Sequence, residues 1–319
     1  MRNNRSYTFV DYATQCYVAF VGLAVLCLAR GTVPGWPFLV AAHAAAMGLI
    51  HVLIRSQAAR PGRPVLDFLR HFYPMLLYGP FYWETGVLNH LLTPGFLDPF
   101  FIRLEARLFG LQPGLAFMDW LPYPAVSELL YAAYFSFYLM IAGVALALYL
   151  RDRGQFRHFV SVISLLFYVC YLVFLFAPVV GPLIFFRKIP GYQLPADVQP
   201  VVAPAFPAAI QAGPCYHLMR WVYRPFEAPG ASFPSSHVAV AIGTAYFSFL
   251  YLRRIRWLHL VAVILLCAST VYCRYHYAVD VVAGALVAAA LIPLGNRLHR
   301  RCELPAAQRP GRGPVAPPA

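Results

Sequence analysis

Long apolar runs alternate along the chain with short polar breaks that carry arginine. The runs cover 12–30, 36–54, 73–92, 131–150, 160–186, 238–252, 258–275 and 277–295. Each approaches the ~20 residues a helix needs to cross a bilayer. In lipid, an open chain satisfies its backbone polar groups only by forming helices. The pattern predicts an all-α, polytopic integral membrane protein with about eight transmembrane helices. The first run follows Arg2 and Arg5 as a signal sequence would. No good small-residue cleavage site comes after it, so it reads as a retained span.

Two breaks are long. In 93–130, Phe100, Phe101, Leu104 and Leu108 alternate with Arg103, Glu105 and Arg107. That pattern suits a helix lying in the membrane interface. The second break, 187–236, is proline-rich and has the length of a lid or binding surface. After Glu303 the chain is mostly Pro, Gly, Ala and Arg, a disordered composition. The expected organisation is N-terminal helices and a loop over 1–72, a catalytic core over 73–296 and a disordered basic tail over 297–319.

Composition agrees with the hydropathy pattern: 61% of residues are hydrophobic and 12% charged. The net charge of +13 does not signal nucleic acid, because the basic residues punctuate apolar runs instead of forming one soluble face. One set of breaks holds Arg2, Arg5, Arg55, Arg60, Arg63 and Arg70. It continues through Arg151, Arg153, Arg157, Arg253, Arg254 and Arg256 to the tail. This set carries about twice as many basic residues as the alternate breaks, which marks the cytoplasmic side. Both termini are then expected inside a plasma or inner membrane. The alternate breaks face the periplasm, the exterior or a lumen. The seven cysteines show no disulfide framework and no zinc spacing. A Cys215–Cys273 bridge is the one pairing near a common surface, and small apolar packing is the commoner use of membrane cysteines.

Candidate chemistry sits in two short stretches on that far side, Phe233-Pro234-Ser235-Ser236-His237 and Arg274-Tyr275-His276-Tyr277-Ala278-Val279-Asp280. The two histidines are about 40 residues apart, one helix out and one back. Pro234 suits a first helical turn, which would leave the Ser235 and Ser236 amides open to a phosphate. His237 would stand close enough to protonate a leaving alkoxide. His276 and Asp280, at i and i+4, would share a helix face, with the carboxylate orienting the imidazole for attack. A single motif of either kind is most often structural, and a zinc site of two His and one Asp is an alternative. Order, spacing and a shared face give the pair its weight.

These two stretches resemble the second and third signature motifs of the type 2 phosphatidic acid phosphatase superfamily, which includes the vanadium haloperoxidases. The resemblance implies a six-helix core and metal-independent phosphoryl transfer without a cofactor. It assigns His276 as the nucleophile that becomes phosphohistidine, His237 as the acid and Asp280 as the orienting group. The chain departs from the phosphatase branch at several positions. Leu218 stands where a lysine is expected upstream of Arg224-Pro225. Thr270, after Ser269, stands where an arginine is expected. Ser236 replaces the glycine of the second motif. These departures resemble the inositol phosphorylceramide synthase branch, as do Tyr82-Trp83-Glu84 with Asn89, Asp98 through Gly110, and Pro178 through Pro182. Arg274, Arg220, Arg224 and Lys188 are the remaining cations for a phosphate, with Arg274 the leading choice. The alternative for the others is contact with lipid headgroups. Glu84 and Asn89 are candidates for a polyol headgroup, or for pairing between helices.

The expected activity is a lipid phosphotransferase with phospholipid and lipid-alcohol substrates. The first alternative is a lipid phosphatase that uses water as acceptor after the same first step. The second is a transporter or an inactive relative.

Overall fold

The computed structural model describes residues 7–186, 206–223 and 229–303. Among these the chain forms thirteen helices and no strand. They are α1 (Phe9–Leu28), α2 (Trp36–Ala59), α3 (Pro64–Leu88), α4 (Asp98–Phe109), α5 (Pro113–Trp120), α6 (Pro124–Arg151) and α7 (Arg153–Phe176). After these come α8 (Pro182–Phe185), α9 (Ala208–Gln211), α10 (Pro214–Tyr223), α11 (Ser236–Tyr251), α12 (Arg256–Tyr272) and α13 (Ala278–Glu303).

Each expected span falls on one of these helices. Five of them (α1, α2, α6, α7 and α13) are long and apolar enough to cross a membrane, and α11 and α12 are shorter apolar helices. The protein is an integral membrane protein. Some boundaries move. The third span starts at Pro64, because Asp67 and Arg70 are carried on the first turns of α3. Arg70 is buried there against Asp11, which also accepts from Tyr73 Oη at 2.6 Å. The fifth span stops at Phe176, where the chain turns into Pro178–Pro182. Residues 297–303, expected in the tail, continue α13, and His299 Nδ1 packs 3.2 Å from Ser161 Oγ.

The bundle is organised around α7. Its sequence is apolar on every face, as a fully surrounded helix requires, and α1, α3, α6, α11 and α13 all pack on it. Asp152 starts it by capping the Gly154 and Gln155 amides at 2.7 and 3.0 Å, a cap worth ~1 kcal/mol. By contrast α2 buries only His43, Ile50 and Ile54 and turns the rest of its apolar surface outward, as a lipid-facing helix does. At one end of the bundle α6, α10 and α12 enclose a second core of Tyr131, Tyr134, Met219, Tyr272 and Tyr275. The chemistry sits beside it.

Candidate active site

Between α12 and α13 lies a tight turn that carries His276. The Thr270 carbonyl accepts from both the Tyr275 and His276 amides at 3.0 Å, and Arg274 turns the chain in the left-handed region, φ 63°. His276 therefore precedes α13 and does not share a helix face with Asp280, contrary to the sequence expectation. Asp280 is the third residue of α13 and reaches back to the Tyr277 amide at 2.9 Å, half of a capping box. The same Oδ2 lies 3.4 Å from His276 Nδ1. One carboxylate oxygen thus caps the helix and orients the imidazole.

Ser232 is a third partner that the motifs did not flag. Its Oγ donates to Asp280 Oδ2 at 2.7 Å and lies 3.2 Å from His276 Nδ1. A short parallel bridge holds it in place. The Ser232 amide donates to Val179 O, and the Val179 amide donates to Gly230 O. Gly181 follows at φ 92°, where a Cβ would come within 2.7 Å of Tyr275 O, so only glycine fits between this strap and the His276 turn.

His237 comes from the other side, as the second residue of α11. Ser235 caps that helix, accepting from the Val238 amide at 3.3 Å, and Ser236 begins it. Pro234 therefore lies two residues before the helix. The Ser235 amide is already engaged, donating to Asp280 O at 3.1 Å, so it is not an open phosphate ligand as the sequence suggested. That bond ties the start of α11 to the start of α13. Gly284 permits the approach, since a Cβ there would meet Ser235 O at 2.5 Å.

The two imidazoles converge. His276 Nε2 lies 3.3 Å from His237 Nδ1, and His237 Nε2 lies 3.2 Å from Tyr134 Oη. Both rings and the Tyr134 side chain are buried. The result is a continuous line: Asp280 and Ser232, His276, His237, Tyr134. The acceptor oxygen of Asp280 favours the proton on His276 Nδ1. With the proton there, Nε2 turns a lone pair toward His237 Nδ1, and Tyr134 Oη stands beside His237 Nε2.

Two further acids brace the site from α4. Asp98 accepts from the Val180 and Gly181 amides at 2.8 and 2.9 Å and from Tyr277 Oη at 2.9 Å. Glu105 Oε1 accepts from the Ala278 and Val279 amides at the start of α13, at 2.5 and 3.3 Å. Burial pushes Asp98 up to about 6 and Glu105 up to about 7, although these amide bonds favour their ionised forms. So α4 does more than lie in the interface. Its exposed Phe100 and Leu108 suit that role, but its acidic face is buried against the His276 turn.

The other expected ligands are dispersed. Asn89 Nδ2 donates to Pro229 O and so holds the start of the Gly230–Ser232 strap. Glu84 is buried, and its Oε1 lies 3.4 Å from His43 Nε2 between α3 and α2. Pairing between helices, the alternative to a headgroup contact, describes Glu84, whereas Asn89 is bonded to a loop carbonyl. The Arg274 guanidinium lies 4.6 Å from the Phe206 ring centroid. Arg220 is exposed on α10. Arg224 and Lys188 lie outside the described residues. Cys215 and Cys273 are free thiols, not a bridge. Among the described residues no group of three His, Cys, Asp or Glu side chains is arranged to hold a metal ion.

A family model of the PAP2 superfamily matches residues 100–294, from α4 through α13 and across both histidine motifs. The chain belongs to the PAP2 superfamily. No curated protein and no solved structure matches it. Membership in the PAP2 superfamily supports a phosphatase- or phosphotransferase-type function on lipids in general. The PAP2 match begins within α4, so the two braces of the turn divide: Glu105 lies inside it and Asp98 just before it.

Proposed function

We propose that the protein is a membrane lipid phosphotransferase that moves a phospho-headgroup, such as phosphoinositol, from a donor phospholipid to a lipid alcohol. The observation that carries this reading is the opposed pair of His276 Nε2 and His237 Nδ1, 3.3 Å apart, with Asp280 and Ser232 behind one ring and Tyr134 behind the other. In the first step His276 Nε2 bonds to phosphorus while the phosphorus–oxygen bond to the donor's lipid alcohol breaks. His237 gives its Nδ1 proton to the departing oxygen. In the second step the acceptor hydroxyl returns a proton to His237 as its oxygen displaces His276 from phosphorus. A reacting phosphorus needs attacking and leaving atoms on opposite sides. The 3.3 Å gap does not admit one, so the rings part when the substrate enters.

Transfer in place of hydrolysis is supported by the motif departures at Ser236 and Thr270, by the deep burial of both histidines, and by an apolar approach to His237. Excluding water from the phosphoenzyme is what separates the two outcomes. Membranes carrying the protein, given labelled phosphatidylinositol and ceramide, are expected to form a phosphoinositol-ceramide and diacylglycerol. Rapid quench is expected to trap acid-labile phosphohistidine that His276→Ala abolishes. Release of free phosphate from phosphatidic acid, with no lipid product, would establish the phosphatase reading in its place. A normal phosphoenzyme in the His276 variant would reject the role of that residue.

A further inference from the structure

α3 and α6 both pack on α7 and meet each other where Tyr149 of α6 packs on Phe68 and Phe72 and donates to Asp67 of α3, then part further along. The space between them is a cavity of about 380 Å³. Gly79 and Tyr82 of α3 form one wall, Tyr138 and Ala142 of α6 the other, and Phe167 of α7 the floor; His237 closes the inner end. His276 does not line it.

The mouth has a definite depth. Tyr138 and Ala142 are exposed and lie about midway along the 28-residue α6. Gly79 is half-exposed a little past the middle of the 25-residue α3. In a membrane-spanning bundle, mid-helix surface faces hydrocarbon and not water. An opening at that level, walled by aromatic and aliphatic side chains, admits an apolar chain. The polar atoms at its inner end then meet whatever oxygen that chain carries.

His237 at the inner end decides which lipid this is. Resting on the transfer reading above, the group on the His237 side of phosphorus is the alcohol, and the phospho-headgroup lies toward His276. We propose that the α3–α6 cleft binds a hydrocarbon chain of the lipid alcohol. It would hold the departing alcohol as His237 protonates its oxygen, and then the arriving alcohol as His237 takes the proton back. One cleft would serve both half-reactions, and chain length would be read there.

The test narrows the cleft. A Cβ at Gly79 meets no atom within 4 Å, so a side chain there has room to project without displacing a neighbour. Gly79→Leu and Ala142→Leu are each assayed with dioleoyl and dihexanoyl phosphatidylinositol as donors and ceramide as acceptor. The expected result is at least a tenfold fall in the long-chain to short-chain ratio of kcat/KM, carried by KM for the long chain. An unchanged ratio, including equal loss on both donors, overturns the proposal. A measurement that needs no cleft variant uses diacylglycerol with a diazirine halfway along one acyl chain. Photolysis is expected to label the α3 and α6 peptides containing Gly79 and Ala142, in the wild type and in His276→Ala alike. No label, or label confined to other helices, also overturns it. The two readings fail separately. Activity surviving His276→Ala rejects the phosphohistidine reaction. Loss of activity in His276→Ala, together with an unchanged chain-length ratio in Gly79→Leu and Ala142→Leu, rejects only the cleft.

Discussion

Ser232 Oγ sits 2.7 Å from Asp280 Oδ2 and 3.2 Å from His276 Nδ1, so the hydroxyl bridges the carboxylate and the imidazole it orients. The direct His276–Asp280 distance is longer, 3.4 Å. Hydrogen bonds to a charged group contribute ~1.5–3 kcal/mol, which corresponds to a factor of ~10–100. Ser232→Ala is therefore expected to lower kcat by roughly that factor with little change in KM, because the bond orients the nucleophile and does not hold the substrate. Asp280→Asn is expected to cost more, about 10²–10⁴-fold, since it removes the helix cap's acceptor charge and the tautomer control together. Single-turnover phosphoenzyme formation measures both. Ser232→Ala turning over at the wild-type rate would sever the hydroxyl from the mechanism.

Tyr134 stands behind His237 as Ser232 stands behind His276. Its hydroxyl lies 3.2 Å from His237 Nε2, and a donation to that nitrogen would leave the ring proton on Nδ1, which faces His276. Tyr134→Phe keeps the ring, which packs 4.5 Å from Tyr275 centroid to centroid, and removes the hydroxyl's contacts with His237 and Tyr223. Acid assistance matters most for poor leaving groups. The variant is expected to lose ~10-fold or more on an alkyl phosphate and much less on a nitrophenyl phosphate, whose leaving group departs unaided. His237→Ala should show the same pattern more strongly. Equal loss on both substrates would indicate that Tyr134 only supports packing.

The spans were legible in the sequence because hydropathy responds to lipid, and lipid contact is local information. The pairing of His237 with His276 was legible too, because a helical hairpin fixes which face both ends occupy. Three features were not. The i, i+4 spacing of His276 and Asp280 suggested a shared helix face, but the turn held by Thr270 O puts His276 before the helix. Ser232 carries no motif signal; its role depends on the Val179 bridge, some fifty residues upstream by order of magnitude and beyond any local pattern. Glu105 read as the polar side of an interfacial helix, since the sequence cannot show that α13 presents two bare amides to it.

Glu105 gives a pH prediction with a definite sign. Its carboxyl is raised from 4.5 to about 7 by burial, so the folded protein holds this proton after the unfolded chain has released it. Its contribution to stability is greatest below about pH 4.5 and declines as pH rises through about 7. Asp98, raised from 3.8 to about 6, acts in the same direction over a lower window. Melting temperature in detergent is expected to fall between pH 5 and 8. Glu105→Gln keeps an acceptor for the Ala278 and Val279 amides and removes the titration, so its melting temperature should vary less over that range. An identical slope in wild type and variant would place the titrating group elsewhere.

The contact between α11 and α13 is the last element that sets the distance between His237 and His276. The Ser235 amide donates to Asp280 O, and Gly284, one helical turn further along α13, leaves no room for a side chain against Ser235 O. A Cβ there meets that oxygen at 2.5 Å and Val238 Cβ at 3.1 Å, so the helices must separate. Forcing an extra methyl into such a contact costs ~1–3 kcal/mol. Alanine's better helix propensity returns up to ~1 kcal/mol. Gly284→Ala is therefore expected to lower stability modestly, while kcat falls more than the melting temperature would suggest. The displacement moves His237 and Ser235 on one helix relative to Asp280 on the other, and a shift of about 1 Å in a reacting geometry can cost ~100-fold in rate. Gly243, where α11 meets the Leu166 and Ile163 side-chain ends of α7, supplies the control. Gly243→Ala tightens a helix contact away from the histidines and should affect stability without a matching loss of kcat. Equal effects of the two substitutions on kcat would show that the α11–α13 spacing does not tune the site.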